Sequence, residues 1–373
     1  MISSNEAVLA AAGSGKTRRL ITEATSAQNK RVLITTYTRE NLAEIEARLW
    51  STSHEKTCTI SAMTWFEFLL RDAVKPYQSF KTEILRIRSI DFVTEKPRCA
   101  KRENFESYYL DSLSNIYSDE VSDLACKLND VSEGKVIRRL EQLYDTILID
   151  EMQDLAGWDL DFVELLLKSH IRIVLVGDPR QSVYSTNRTS KNKNYRGMGI
   201  ASWIDKLQRQ NLCSKKKLSV SYRCSQTICD FADALFPSLP ATMSCYKSIA
   251  DSSGVYFVRR EDVERYIEVF RPQCLRWNKS NRKAGPDARN FGDVKGKEFR
   301  RVLIYPTSNI LHYLENGKPL TGIALAKFYV AITRASDSVG IVADKSIPNS
   351  SLRVWSPNEI RTYHDYLIPL KCS

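Results

Sequence analysis

The 373-residue sequence contains no C-x-x-C pair. Its nine cysteines stand singly, as Cys58, Cys99, Cys126, Cys213, Cys224, Cys229, Cys245, Cys274 and Cys372. Only four histidines accompany them, too few and too scattered to suggest a zinc site. An odd, dispersed set of thiols with no signal peptide argues against a disulfide framework and for reduced cysteines in the cytoplasm. No apolar run approaches the ~20 residues that a membrane helix needs, so no membrane partner is expected. Internal repeats and low-complexity tracts are missing too, which excludes solenoids and biased linkers.

The length suits two or three domains of ordinary size. Hydrophobic residues at 43% and charged residues at 27% are the proportions of a soluble globular chain. Lys and Arg number 55 against 44 Asp and Glu, giving a net charge of +11. A basic balance of this size suits nucleic acid or another polyanion, although solubility alone would also account for it.

One stretch organises the chain. Ala7-Val8-Leu9 leads into Ala10-Ala11-Ala12-Gly13-Ser14-Gly15-Lys16-Thr17, and Arg18-Arg19-Leu20-Ile21 leads out. That reads as strand, glycine loop, helix. Gly13 and Gly15 let the backbone curl so that its N–H groups face phosphate oxygens. Lys16 adds a point charge, and Thr17 offers a hydroxyl to Mg²⁺. The pattern departs from G-x-x-x-x-G-K-[ST] at Ala10, where the first glycine would stand. Alone, it is also an ordinary Gly/Ser turn capping a helix.

Further strands and helices alternate downstream. Residues 31–36 read as a buried strand with Tyr37 at its tip, and residues 41–50 have helical spacing. Residues 57–61 read as a third strand and 65–70 as an apolar helix. Such alternation implies a parallel sheet covered on both faces, with ligands beyond the carboxyl ends of its strands. Between about 75 and 140 the periodicity weakens. There Phe105 to Ile116 and Leu124 to Val131 suggest a small helical insertion.

Residues 146–149 form a buried run ending in Asp150-Glu151. One carboxylate at a strand tip can hold Mg²⁺ through water while its neighbour polarises the attacking water. Residues 171–176 end in Gly177-Asp178-Pro179-Arg180-Gln181, where Gln181 can sense a phosphate. A Gly-Asp-Pro turn would take the same residues. Lys215-Lys216-Lys217 precedes what reads as a new strand at 218–220, so a second domain is expected from 211 to 373, after a first from 1 to 210. The second continues with strands near 255–258, 274–277, 302–305 and 339–342, helices near 263–270 and 324–334, and a tail that reads as helical around 359–367.

The motifs now stand together: Gly15-Lys16-Thr17-Arg18, Thr36-Tyr37-Thr38, Asp150-Glu151-Met152-Gln153-Asp154, Gly177-Asp178 through Gln181-Ser182-Val183-Tyr184, Tyr222-Arg223, Lys295-Gly296-Lys297-Glu298-Phe299 and Tyr329 through Thr333-Arg334. In this order they resemble the motifs of superfamily 1 helicases of the UvrD/Rep/PcrA type. The resemblance implies an α/β chain of two RecA-like parallel-sheet domains in tandem. It implies ATP and Mg²⁺ as cofactors. Ala12, Gly13, Ser14, Gly15, Lys16 and Thr17 would bind phosphate, and Thr17 and Asp150 the metal. Glu151 would act on the water, and Gln181 would couple the phosphate to DNA. Arg223 and Arg334 would act as arginine fingers, Glu298 would contact the ribose, and Arg18 and Tyr222 would flank the adenine. Thr36, Tyr37, Thr64, Trp65, Tyr184, Tyr195 and Arg196 would meet the nucleic acid. Trp277 is a further stacking candidate, and each aromatic has core packing as its alternative, strongest for Trp65.

Four departures accompany the likeness. No glutamine lies in residues 1–9, where the relatives read adenine, so looser base selectivity is expected. Ser61 to Trp65 lacks the histidine of the corresponding strand-contact motif. The aromatic–Arg pair that follows Tyr184 is displaced to Tyr195-Arg196. The relatives' large extra domain has only residues 231–290 in which to fit, so a minimal form is expected. The leading expectation is an ATP-driven helicase or translocase on single-stranded DNA or a tailed duplex. The alternative is a DNA-sensing ATPase that regulates a partner nuclease in antiphage defence without processive unwinding, as in small UvrD-like proteins such as the helicase-like subunit of the Gabija antiphage system; a nuclease partner or self-association is the expected protein contact. An RNA helicase is a third reading.

Overall fold

The computed structural model describes residues 5–26, 30–52, 59–81, 86–94, 96–97, 100–248, 253–344 and 352–357. Two compact units emerge, each built on its own sheet. The first comprises Met1–Ala10 and Lys16–Lys217, and the second Ala11–Gly15 and Leu218–Ser373.

Among the described residues, the first unit has a six-stranded sheet in the spatial order Thr59–Thr64, Arg31–Thr36, Thr146–Ile149, Arg172–Gly177, Glu6–Ala10, Ser214–Leu218. The central pairings are parallel, with registers Leu9↔Gly177, Ile149↔Leu175, Thr35↔Ile149 and Thr36↔Thr64. These registers bring five strand tips to one edge. Val32, Leu33, Ile34, Ile147, Leu148, Ile149, Ile173, Val174 and Leu175 are all buried, as strands covered on both faces require. At the other edge, Arg31 ties the amino ends of two central strands together. Its backbone N–H and Nε donate to Asp145 Oδ2 at 2.8 and 3.0 Å, and its Nη2 donates to Asp145 Oδ1 at 2.6 Å.

The stretch of chain between the strands Thr59–Thr64 and Thr146–Ile149 holds the helices Phe105–Tyr109, Val121–Val131 and Lys135–Leu143, and a short parallel pair, Ile90–Asp91 with Ile116–Tyr117. The helix expected to run on to Ile116 stops at Tyr109. Leu110 bridges antiparallel to Ile116, and Leu113 stands exposed in the turn between them. Lys215-Lys216-Lys217 also differs from expectation, since it lies inside the edge strand Ser214–Leu218 of the first sheet. Lysine on an edge strand discourages pairing with other chains. Lys216 also meets Glu6 at 2.9 Å.

The second unit has its own six-stranded sheet, in the order Arg289–Asn290, Gln273–Arg276, Phe299–Ile304, Ala335–Ala343, Gly254–Arg259, Arg353–Val354, with parallel pairings throughout. The strand expected at 218–220 does not enter it. Val220–Ser221 pairs instead with Met243–Ser244 in a separate two-stranded sheet. The helix Gly322–Ile332 packs beside Phe231 and Phe236 through Phe328 and Tyr329. The expected helix at 359–367 lies outside the described residues.

Candidate nucleotide site and nucleic-acid interface

The parallel registers place Ala10, Asp150, Asp178, Tyr37 and Trp65 at or just beyond the carboxyl ends of neighbouring strands. In such sheets that edge is where ligands bind. Gly13 and Gly15 adopt φ of +72° and +79°, which side-chain-bearing residues rarely take, and the helix Lys16–Thr25 begins directly after them. The first amides of a helix have no intrahelical partner and are suited to an anion. Thr17 is half-buried on the first turn and Arg18 exposed. Ala12 is buried, and the buried Ser14 hydroxyl has no hydrogen-bond partner among the described residues.

Within the first unit, Lys16 Nζ lies 3.8 Å from Glu151 Oε2. Asp150 and Glu151 are both buried. The Asp150 carboxylate accepts the Glu151 N–H at 2.9 Å, and Glu151 sits at φ +55°, a left-handed conformation uncommon outside glycine. Such strain costs on the order of 1 kcal/mol or more and concentrates at functional sites.

A chain of hydrogen bonds runs on from Glu151. The Gln153 amide nitrogen donates to Glu151 Oε2. The Gln153 side-chain oxygen accepts the Asp178 N–H at 2.9 Å, and its backbone carbonyl accepts the Ser182 hydroxyl at 3.0 Å. The Asp178 carboxylate then accepts from Gln181 Nε2 at 2.8 Å and Arg180 Nε at 2.9 Å. All of Gln153, Asp178, Arg180 and Gln181 are buried. A Cβ on Gly177 would overlap the Gln153 side-chain oxygen and sit 2.8 Å from Met152 Cγ, so only glycine fits there. Sequence reasoning assigned no role to Gln153 or Asp178. The available signal was Gln153 two residues after Glu151, with a glycine ending the adjacent strand.

The donor set fits a magnesium nucleotide. Lys16 lies beside the paired carboxylates Asp150 and Glu151, Thr17 follows it on the first turn of the helix, and the preceding loop carries the buried Ser14 hydroxyl. Among the described residues no three metal-ligating side chains cluster as a preformed protein metal cage. Mg²⁺ commonly relies on one or two carboxylates plus phosphate oxygens and water, so the small protein contribution is in character.

In the second unit, the Tyr222 N–H donates to Gly13 O at 2.9 Å, and the Ala11 N–H to Leu218 O at 2.8 Å. A Cβ on Gly13 would come within 2.6 Å of Arg223 Cβ and 2.7 Å of Ser221 Oγ. The glycine loop and the Tyr-Arg pair therefore touch. Tyr222 is 66% exposed, with its ring open to stacking. Arg223 forms an ion pair with Glu298 and donates to Thr333 O at 3.5 Å. Arg334 is placed differently, at 1% exposure. Its Nε donates to Val330 O at 3.2 Å, Nη1 to Lys297 O at 3.3 Å and Nη2 to Thr333 Oγ1 at 3.4 Å. Gly13, Tyr222, Arg223, Glu298, Thr333 and Arg334 are thus linked in one contact network, in which Arg334 holds the Val330 and Lys297 carbonyls and the Thr333 hydroxyl. Beside them, Cys224 has its thiol pulled below its ordinary range by contact with Cys229, whose own thiol is pushed up.

The expected nucleic-acid contacts divide. Tyr37 and Tyr184 are half-buried neighbours, with ring centroids 5.8 Å apart. Burial pushes the Tyr37 phenol up, with nearby Asp154 and Asp159 adding to the shift. Trp65 belongs to the core. It is 1% exposed, and its indole N–H donates to Asp159 at 2.7 Å, so it presents no face to a base. Burial raises the Asp159 carboxyl, against hydrogen bonds from Ser122, Thr186 and Trp65. Thr36 is buried as well. The Thr64 hydroxyl caps a helix by accepting the Glu67 N–H at 3.2 Å. Tyr195 is half-buried, and Arg196 donates to Thr189 O. Trp277 has Lys327 over its ring at 4.3 Å.

With this geometry in view, residues 68–199 match the family model of the UvrD/REP helicase N-terminal domain. The RecBCD enzyme subunit RecB of Borreliella burgdorferi is 24% identical over 115 residues, 31% of this chain and 9% of that protein. The structure of the PRRSV helicase aligns with a TM-score of 0.48 at 14% identity, covering 92% of this chain and 53% of that one. Arterivirus nonstructural protein 10, a helicase, aligns at 0.48 and 15% identity, covering 92% and 60%. Its complex with DNA aligns at 0.47 and 15%, covering 92% and 62%. The chain therefore spans little more than half the length of these solved structures, and a small part of RecB.

Proposed function

We propose that this chain hydrolyses ATP and uses the energy to move along single-stranded DNA. The observation that carries the proposal is the buried chain Glu151–Gln153–Asp178–Gln181, which starts beside Lys16. The likeness of residues 68–199 to a helicase N-terminal domain supports it, as do the net charge of +11 and the half-buried Tyr37–Tyr184 pair.

Lys16, Thr17 and the amides after Gly15 would hold the phosphates, and Thr17 and Asp150 the metal. Bound Mg²⁺ would neutralise charge on the phosphate oxygens. Glu151 would orient the attacking water and take its proton, and Gln153 keeps that carboxylate turned to its post. Gln181 would report phosphate occupancy along the same chain. Arg223 would add positive charge to the transferred group, Tyr222 would stack on the base, and Glu298 would meet the ribose. The six described cysteines are free thiols, which suits a cytoplasmic protein.

A second reading, a DNA-sensing ATPase that governs a partner nuclease, draws on one observation. Residues 231–290 are taken up by the second unit itself. They supply the strands Gly254–Arg259 and Gln273–Arg276 and the helix Val263–Phe270, leaving no separate domain there among the described residues. Opening each base pair costs about 1.4 kcal/mol on average, and an unassisted core has less surface to keep a junction from reclosing.

The test is ATPase activity with no nucleic acid, single-stranded DNA, duplex DNA and RNA, followed by single-turnover unwinding of a tailed duplex at several protein concentrations. Stimulation by single-stranded DNA that weakens with salt is expected. Efficient unwinding by a verified monomer would exclude the second reading. ATPase activity indifferent to every nucleic acid would exclude both.

A further inference from the structure

The Tyr37–Tyr184 pair is the start of a longer row. Tyr37 packs on Phe66 with centroids 6.0 Å apart, and Phe66 meets Phe92 at 5.1 Å with ring planes at 86°. Exposure changes sharply at the end of this row. Phe66 is 5% exposed and Phe92 58%. A phenylalanine left this far in water forgoes the stabilisation of burying an aromatic ring.

The local chain holds Phe92 there. Asp91 ends the short strand Ile90–Asp91, which pairs with Ile116–Tyr117. Its Oδ1 accepts the N–H groups of Val93 and Thr94 at 2.8 and 3.0 Å, closing a tight turn around Phe92. Upstream, Lys75 Nζ holds the Arg88 carbonyl at 3.0 Å. Arg86 and Arg88 are exposed on the same short approach to the turn. An outward aromatic ring on a fixed turn, with exposed arginines a few residues upstream in the chain, suits a base and its phosphates.

We propose that Phe92 is a nucleobase-stacking residue that, supported from beneath by the buried Phe66, continues from the half-buried Tyr184–Tyr37 pair and carries a single strand onto the insertion. The inference rests on the nucleic-acid reading above and adds a contact to it. The occupant is a single-stranded nucleic acid, because continuity with Tyr37 and Tyr184 and the overall positive charge favour it over an apolar protein surface.

The experiment measures binding of a fluorescently labelled oligo-dT to the full chain by anisotropy. The unaltered protein is compared with Phe92→Ala, Phe92→Trp and Val93→Ala. Losing one base stack should weaken Phe92→Ala roughly 5- to 150-fold. Phe92→Trp should retain affinity, with its emission quenched by the strand. Val93→Ala should bind as the unaltered protein does, and matching melting curves would show that all variants are folded. Undiminished binding by Phe92→Ala, or a Phe92→Trp emission that ignores the strand, would overturn the role of Phe92 alone. Failure of the unaltered protein to bind oligo-dT at low salt would overturn the nucleic-acid reading and this inference with it.

Discussion

Gln153 holds Glu151 with its amide nitrogen and the Asp178 backbone with its amide oxygen, so one side chain joins the tips of two neighbouring strands. The bond to a carboxylate is charge-assisted, and such bonds contribute about 1.5–3 kcal/mol. In Gln153→Ala the Glu151 carboxylate loses its tether and the Asp178 N–H is left buried without this partner. The expected result is a fall in kcat of about 10-fold or more, with KM for ATP nearly unchanged. Steady-state kinetics at saturating nucleotide and nucleic acid provide the check. A rise in KM with kcat preserved would assign Gln153 to nucleotide binding instead.

Glu151 and Lys16 stand 3.8 Å apart but should fail in different ways. Glu151→Gln keeps the shape and removes the base, so nucleotide binding should persist while turnover falls by about two orders of magnitude or more. Lys16→Ala removes charge from the phosphate site and should weaken the nucleotide itself. Titration with a fluorescent ATP analogue separates the two outcomes. Wild-type turnover in Glu151→Gln would remove Glu151 from its assigned role.

The strand tips were legible because each polar motif directly follows a run of residues buried on both faces. Asp150 after Thr146–Ile149 and Asp178 after Arg172–Gly177 are cases in point. Strand order brings those tips together, and order is a tertiary property, so the Gln153 bridge between them was not legible. Trp65 shows a related limit. Its place after a strand resembles that of Tyr37, yet Asp159, far along the chain, captures its indole. The lysine run at 215–217 reads as preceding a strand rather than lying in one, because alternation is hard to see in three identical residues. Its strand is defined by backbone pairing at the edge of the sheet, as in the Ser214 N–H bond to Asn5 O at 2.9 Å.

The Arg31–Asp145 pair makes stability depend on acid pH. Hydrogen bonds from the Arg31 side chain and backbone lower the Asp145 carboxyl to about 2, below its ordinary value of about 3.9. A carboxyl depressed in the folded state stabilises the fold fully above its unfolded value. That contribution is lost as pH falls from about 4 through about 2. Asp145→Asn should therefore be less stable than wild type at pH 7, with the gap closing across that window. Denaturant titrations of both proteins from pH 7 to pH 2 measure the gap. A gap that stays constant with pH would show that the Asp145 charge contributes nothing to it.

Arg223 and Arg334 were expected to act alike, and their surroundings predict that they will not. Arg334 is buried, and its guanidinium meets the carbonyls of Val330 and Lys297. Stranding a buried acceptor costs about 1–3 kcal/mol, so Arg334→Ala should lower the melting temperature as well as the rate. Arg223 has one ion pair, with the exposed carboxylate of Glu298, and a long contact to Thr333 O. Arg223→Ala should melt close to wild type while losing about 10³-fold or more in ATP turnover, the usual effect of removing an arginine finger. Calorimetry and ATPase rates measured on the same preparations decide it. Equal destabilisation by the two substitutions would mean that Arg223, too, is chiefly a structural residue. Full activity in Arg223→Ala would leave the phosphate without the cation assigned to it here.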